Sequence, residues 1–559
     1  ARNSSYDRII VKISHSCFDE GSKSVNQQTQ KSTTDGSKAK IFECRFEWSS
    51  DIVLQINHLV DNESNKSNYC KKAEHFQKME FDRAKRHFGV PIWIPLRKEN
   101  SIELAEELSK HLQGLCLIFI DVPINKRNKE NHEITDMWKR WNTFRANVGF
   151  SNKIKLALEL TLNLPDHMEL KRWLAEPIEL ITLPTSLFKK TKNIPGCHLN
   201  SKLESICLKF WVEKQVTFTI KGRELNGLEY SDYIRCIRDL TESSLCQIRS
   251  PNHSLTDSVQ SNMQSIWPIY EDALERSIYD CCQRKPNETV SILLCGKGCQ
   301  ELLYFGVFDQ FKSITVYIFH EDQTTCNTIN DIIACLDKDK FSIISSAVEE
   351  KLYEKMDIVV SVSTEPIHQY MWFRKNYQRI SNYCAANTIL IPNQSKLFIA
   401  PIMAPTIHNE MQANGIDIET EAIHPLSIGN FFECATVQEL FIFNYSTTKR
   451  FIIVSDNRCQ QLDFLIEQDC VVTGFAGYLE INFYDGLKLR YRETGDNKKC
   501  SSFMYLPLTK SQSLEAGTVL RAEFSLNIRS NEFWYEWFTQ SPMYTHIHNE
   551  NGITSVTID

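Results

Sequence analysis

The chemistry this chain could perform starts at one turn, Leu294-Cys295-Gly296-Lys297-Gly298-Cys299, its only glycine-rich turn after a strand-like run. Glycine there lets backbone approach a ligand closely, and a helix opening behind it aims N–H groups at an anionic group. A nucleotide-type ligand with a ribose needs a carboxylate near the end of the next strand. The tip after Ile314 to Phe319 offers His320, then Glu321 and Asp322. With only two glycines, an ordinary strand-to-helix turn accounts for the same stretch, and a solvated loop end accounts for the acids.

Metal chemistry has weaker signals. Cys295 with Cys299, Cys281 with Cys282, and His546-Ile547-His548 are short pairs that lack a matching second half at zinc-site spacing. They read as structural thiols and imidazoles, so no metal site is expected. Trp534-Tyr535-Glu536-Trp537 alternates on a strand, which reads as packing.

The elements that must position these residues fall into three stretches. Before Ser250, strand-like runs at Pro91 to Leu96, Leu115 to Val122, Ile154 to Leu160, Ile178 to Pro184 and Gln215 to Gly222 alternate with helical patterns. Ser101 caps one such helix, and Gly114 stands where a left-handed C-terminal residue belongs. Repeated β-α-β units of this kind give either a closed parallel barrel or a doubly wound sheet. Polar segments near 21–40 and 61–68 read as loops within this first domain, residues 1–250.

A helix near Pro268 opens the second domain, residues 251–392, with buried-type strands at Val290 to Cys295, Ile314 to Phe319, Phe341 to Ser345 and Asp357 to Ser361. Residues 393–559 form the third, with short β-rich runs such as Leu440 to Asn444, Val471 to Tyr484 and Leu520 to Ile528, the pattern of an antiparallel sandwich or barrel.

Bulk composition excludes several function classes. At 559 residues with 42% hydrophobic and 24% charged residues the chain is neither disordered nor fibrous. A net charge of -7 argues against direct nucleic-acid binding or a membrane-surface role. There is no uninterrupted apolar run of membrane-spanning length, and Arg2, Asp7, Arg8 and Lys12 break up any signal-peptide core. Nineteen scattered cysteines lack a secreted framework's spacing, so the expected compartment is the cytoplasm, with the nucleus as a second.

Several stretches together resemble the protein arginine methyltransferase 5 family, the type II enzymes of the methylosome. They are Trp141-Asn142-Thr143-Phe144-Arg145, Arg172-Trp173-Leu174-Ala175-Glu176-Pro177-Ile178, Leu183-Pro184-Thr185-Ser186, Gly474-Phe475-Ala476-Gly477-Tyr478, Trp534-Tyr535-Glu536-Trp537 and Ile547-His548-Asn549. They occur in the family's order and span most of the chain. The resemblance implies an N-terminal TIM barrel, a central Rossmann-type methyltransferase domain and a C-terminal antiparallel β-barrel. It also implies S-adenosylmethionine as methyl donor, a WD-repeat methylosome protein bound through the TIM barrel, Arg/Gly-rich substrates such as Sm proteins and histones, and a homo- or hetero-oligomer.

Transferred residue by residue, the resemblance gives a different answer for the chemistry. Methyl transfer to a guanidinium needs two carboxylates that grip it and aim one nitrogen at the sulfonium methyl. The two glutamates that the family places in the loop after the fourth strand align with Val362 and Met371. Glu365, three residues out of place, is the one acid in that loop that could stand in as catalytic group.

On the cofactor side, Gly296, Lys297 and Gly298 remain as binding residues with Glu321, while Leu294 replaces the family's leading glycine. His320 falls on the ribose acid, Ala347 on the adenine-holding acid, Tyr270 on a lysine near the cofactor carboxylate, and Ser261 and Gln264 on two aromatics. Of the substrate-side Phe-Ser-Trp only Phe503 is kept, in Phe503-Met504-Tyr505. The expectation is a catalytically degenerate member acting as a structural or regulatory subunit. The alternative is an active symmetric arginine methyltransferase with displaced acids.

Overall fold

The computed structural model describes residues 9–12, 52–55, 92–96, 101–112, 117–127, 134–149, 151, 153–190, 196–222, 225, 227–245, 255–296, 298–320, 323–336, 340–344, 355–362, 369–413, 426–427, 431–445, 457–490, 501–502, 504–529 and 532–557. The chain divides into two compact units, the first built mainly from residues 1–249 and the second mainly from 250–559.

Seven strands make one parallel sheet in the first unit: β1 (Ile9–Lys12), β2 (Ile52–Gln55), β3 (Ile92–Pro95), β4 (Ile118–Pro123), β5 (Ile154–Glu159), β6 (Ile178–Pro184) and β7 (Thr217–Lys221). Their order in the sheet follows their order in the chain, and from β3 to β7 each connection carries a helix. That is the sequence of a β/α barrel, whereas a doubly wound sheet would reverse direction. Trp93, Phe119, Ala157 and Leu180, one from each of β3 to β6, form a single buried cluster and so define the inward face.

The family-like motifs of this unit meet at one carboxylate. Helix α1 (Ser101–His111) is followed by α2 (Met137–Val148), which Asp136 caps by accepting from the Lys139 N–H at 3.1 Å. From α2, the indole N–H of Trp138 donates to Glu176 Oε1 at 2.7 Å, that of Trp141 to Oε2 at 2.9 Å, and Arg145 pairs with the same Oε2. Arg172 lies over the Trp138 ring at 4.3 Å and reaches Asp136 at 3.3 Å. Glu176 and Arg145 are both buried, so removing one would strand the other and cost about 3–5 kcal/mol. The motif residues thus tie α2 to the segment that leads into β6.

The second unit begins with α3 (Leu255–Arg284), a 30-residue helix that runs through Pro268, so it starts well before the expected point. Pro268 is exposed, and the donor its ring removes is missing on the solvent side, where water can replace it. Five parallel strands follow: β8 (Val290–Cys295), β9 (Ile314–Phe319), β10 (Phe341–Ile344), β11 (Met356–Ser361) and β12 (Cys384–Ile391). Their spatial order β10-β9-β8-β11-β12 changes direction between β8 and β11, the Rossmann-type switch point.

The remaining strands are antiparallel. β13 (Gln394–Met403) pairs with β14 (Gln438–Asn444) and with β16 (Cys470–Asn482), which also pairs with β17 (Met504–Leu514). β15 (Arg458–Leu465), β18 (Val519–Arg529) and β19 (Glu532–Ser541) belong to a second sheet. The sheets face one another through Phe475 against Phe524, ring centroids 4.9 Å apart, and through the Trp537 indole donating to the Pro507 carbonyl at 2.8 Å. This fits the expected antiparallel β-barrel.

Trp534, Tyr535 and Trp537 are all buried, so the run does not alternate between core and solvent. On its other face Trp534 is covered by Gly552, where an added Cβ would stand 2.6 Å from the ring, and by Arg529 at 5.1 Å.

Candidate functional site

In an open parallel sheet the ligand crevice lies beyond the carboxyl ends of the strands at the switch point. Here that is the gap between the ends of β8 and β11, and three features occupy it. The first is the turn after β8. Gly296 holds φ +97 and Gly298 φ +96, conformations that glycine adopts without penalty. A side chain at 296 would stand 2.1 Å from the Val362 carbonyl oxygen, so the turn is pressed against the chain leaving β11. The Val362 N–H donates to the Cys295 carbonyl at 2.9 Å and fixes the same contact from the other side.

The second feature is Tyr270 on α3. It is fully buried, and its hydroxyl donates to the Ser361 carbonyl at 3.0 Å. Its ring meets Phe483 edge-on at 4.9 Å. The third is the apolar lining. Val362 is 0% exposed and Met371 1% exposed, and Val362 belongs to the large core cluster of this unit.

Titratable groups near the turn are thiols held neutral. Burial pushes Cys295 well above the usual thiol range and Cys299 to about 12. Protonated and enclosed, they are poor nucleophiles and poor metal ligands. Their hydrogen bonding agrees, since Cys295 donates its S–H to the Val360 carbonyl at 3.3 Å.

Of the residues singled out in the sequence, Gly296 and Gly298 lie in the turn that follows β8 at this crevice. His320 is half-buried at the end of β9 and its carbonyl accepts from the Cys326 thiol at 3.6 Å. Glu365, Lys297, Glu321, Asp322, Ala347 and Phe503 lie outside the described residues. His548, half of a discounted metal pair, is engaged in packing: Nδ1 faces the Trp537 carbonyl at 3.0 Å and Nε2 accepts from the Thr509 N–H at 3.0 Å. Among the described residues no group of three His, Cys, Asp or Glu could hold a metal ion. Sequence reasoning missed the bridging role of Tyr270, whose only signal is its helical spacing from Leu274 and Ile278.

The fit to S-adenosylmethionine can be tested on these side chains. The described residues at the ends of β8, β9 and β11 are Cys295, Gly296, Phe319, His320, Ser361 and Val362, none of them acidic. Recognition of a ribose or a guanidinium needs a carboxylate there. Within the glycine turn, Gly296 is in close contact with the Val362 carbonyl. The acids that follow these strands in the chain, Glu321, Asp322 and Glu365, lie outside the described residues, so the described part of the crevice holds no carboxylate.

Two family models match the chain, the PRMT5 TIM barrel domain over residues 5–244 and the PRMT5 oligomerisation domain over residues 394–557, together more than half of its length. Protein arginine N-methyltransferase 5 of Xenopus laevis is 22% identical over 90% of this chain and 88% of its own. Its counterpart in Oryza sativa subsp. indica is 23% identical over the same shares, and that of Drosophila melanogaster 23% over 75% of this chain and 72% of its own. Among solved structures, a Trypanosoma brucei PRMT1 enzyme-prozyme complex with AdoHcy covers 50% of this chain and 92% of its own at 14% identity and a TM-score of 0.38, too slight a likeness to bear on fold or function. The barrel order of the first unit, the switch point and antiparallel sheets of the second, and both matched domains lead to one conclusion: this chain is a divergent member of the protein arginine methyltransferase 5 family.

Proposed function

We propose that this arginine methyltransferase-type protein no longer transfers methyl groups and serves as a structural or regulatory subunit of a methylosome-type complex. One observation carries the reading. Val362 and Met371, which align with the family's two catalytic glutamates, are buried apolar side chains. A guanidinium approaching them would lose its hydration and gain no anion, a cost of several kcal/mol where an active site must supply stabilisation.

On this reading the protein's remaining functions are those of surfaces. The oligomerisation domain would hold it in a homo- or hetero-oligomer, the TIM barrel would take a WD-repeat methylosome partner, and the complex would reside in the cytoplasm and also the nucleus. Arg/Gly-rich proteins such as Sm proteins or histones would be substrates of an active partner chain.

Isothermal titration with S-adenosylmethionine, with a methylation assay on an Arg/Gly-rich peptide, tests the proposal. The expected result is no saturable heat up to millimolar cofactor and no methylarginine above background. Formation of symmetric dimethylarginine by the purified chain would overturn it.

A further inference from the structure

Separate from that reading, the barrel of the first unit holds a polar cluster of its own. Inward-facing residues on a strand recur every second position. Counting two on from the apolar layer of Phe119, Ala157 and Leu180 gives Asp121, Glu159 and Thr182. Register adds Lys221, since Pro184 pairs with it and shares its parity with Thr182. All four lie toward the C-terminal ends of β4 to β7, the end at which β/α barrels build their sites.

Lys221 Nζ lies 2.6 Å from Asp121 Oδ2 and 2.5 Å from Glu159 Oε2. Two carboxylates thus share one ammonium, leaving an excess of one negative charge. Asp121 is 4% exposed, and although the Trp93 indole faces its carboxyl from β3, Oδ1 has no hydrogen-bond partner among the described residues. Thr182 is 0% exposed, is the register partner of Glu159, and its hydroxyl is likewise without a partner among the described residues. A buried polar atom left without a partner is costly and uncommon. Two of them, on inward positions of β4 and β6 on either side of β5 with its Glu159 carboxylate, describe the ligand that would complete the cluster: it donates N–H groups and carries one positive charge.

We propose that the C-terminal mouth of this barrel binds a small primary ammonium ligand, whose N–H groups satisfy Asp121 Oδ1 and Thr182 Oγ1 and whose charge balances the second carboxylate. The Lys221 side chain, 40% exposed, and that of Glu159, 22% exposed, form the accessible rim, and Asp121 the floor. The charge state of Asp121 supports this. Burial, opposed by Lys221 and reinforced by Glu159, raises its carboxyl to about 6. The groups that face it are Lys221 on β7, Glu159 on β5 and Trp93 on β3.

The test is a thermal-shift titration of the full chain at pH 7.5 with methylammonium chloride, against tetramethylammonium chloride at equal ionic strength. The two probes share a charge, but only the first has N–H donors. Saturable binding of methylammonium at least about tenfold tighter than tetramethylammonium is expected, because the difference is two charge-assisted hydrogen bonds. Thr182→Val, close to isosteric, is expected to weaken methylammonium about tenfold and leave tetramethylammonium unchanged. Equal response to the two cations, or no response to either, overturns the proposal on the unmodified protein. Unchanged methylammonium affinity in a folded Thr182→Val overturns it independently.

Discussion

A Cβ placed on Gly296 would sit 2.1 Å from the carbonyl oxygen of Val362, closer than any two such atoms can approach. The glycine of this turn is therefore demanded by the protein's own backbone. Gly296→Ala must either move the end of β11 or leave the +97 conformation. We expect a loss of about 2 kcal/mol or more, measured as a lower urea midpoint at unchanged m-value. A variant as stable as the parent would show that the turn and Val362 are not in contact.

A carboxylate placed at position 362 should damage the fold. Val362→Glu places an ionisable group in an apolar cluster, where burial raises its pKa above the unfolded value of about 4.3. A group raised on folding costs nothing below its unfolded pKa and costs progressively more as pH climbs toward its folded one. The variant should be near parental stability at pH 4 and lose about 3 kcal/mol or more by pH 8. Urea unfolding at the two pH values checks this, and a loss independent of pH would point to steric overpacking.

Acid titration of the first unit should reveal two opposed contributions. Asp121 rises on folding from 3.8 to about 6, so its contribution to stability is full below pH 3.8 and is lost as pH rises to 6. His408, in the helix Pro405–Ala413, falls by burial from 6.5 to about 4, so its contribution is full above pH 6.5 and is lost as pH falls to 4. Each is worth roughly 3 kcal/mol, and with opposite signs they nearly cancel between pH 4 and 6. Asp121→Asn should expose a stability that falls steeply with acid, and His408→Gln one that rises with acid. Parallel pH-stability curves for all three proteins would refute the assignment.

Much of this architecture could be read from the residues. Val290–Cys295 is buried at every position and Ile314–Phe319 at all but Thr315 and Tyr317, so both appear as largely apolar runs with the observed ends. The end of the strand before Val362 was equally legible, since Asp357 to Ser361 is a buried-type run and β11 ends at Ser361.

Other features depend on partners distant in the chain. Lys221 meets Asp121 across 100 residues, and no local pattern links them. The burial of Trp534 depends on Gly552 beyond a turn, and so the Trp-Tyr-Glu-Trp run looked two-sided when it is enclosed on both faces. The N-terminal half of α3 does carry Leu255, Val259, Met263 and Ile266 at helical spacing, but Pro268 inside the pattern reads locally as a helix start, which hides the turns before it.

Tyr270 touches both the end of a Rossmann strand and Phe483, and one apolar cluster runs from β8 and β9 through Val362 to Leu479, Ile481 and Phe483. The side chains that line the crevice are thus also the mortar that joins the parallel sheet to the antiparallel one. Selection for assembly alone would keep them in place, so their persistence among descendants of this chain would testify to architecture and say nothing of turnover.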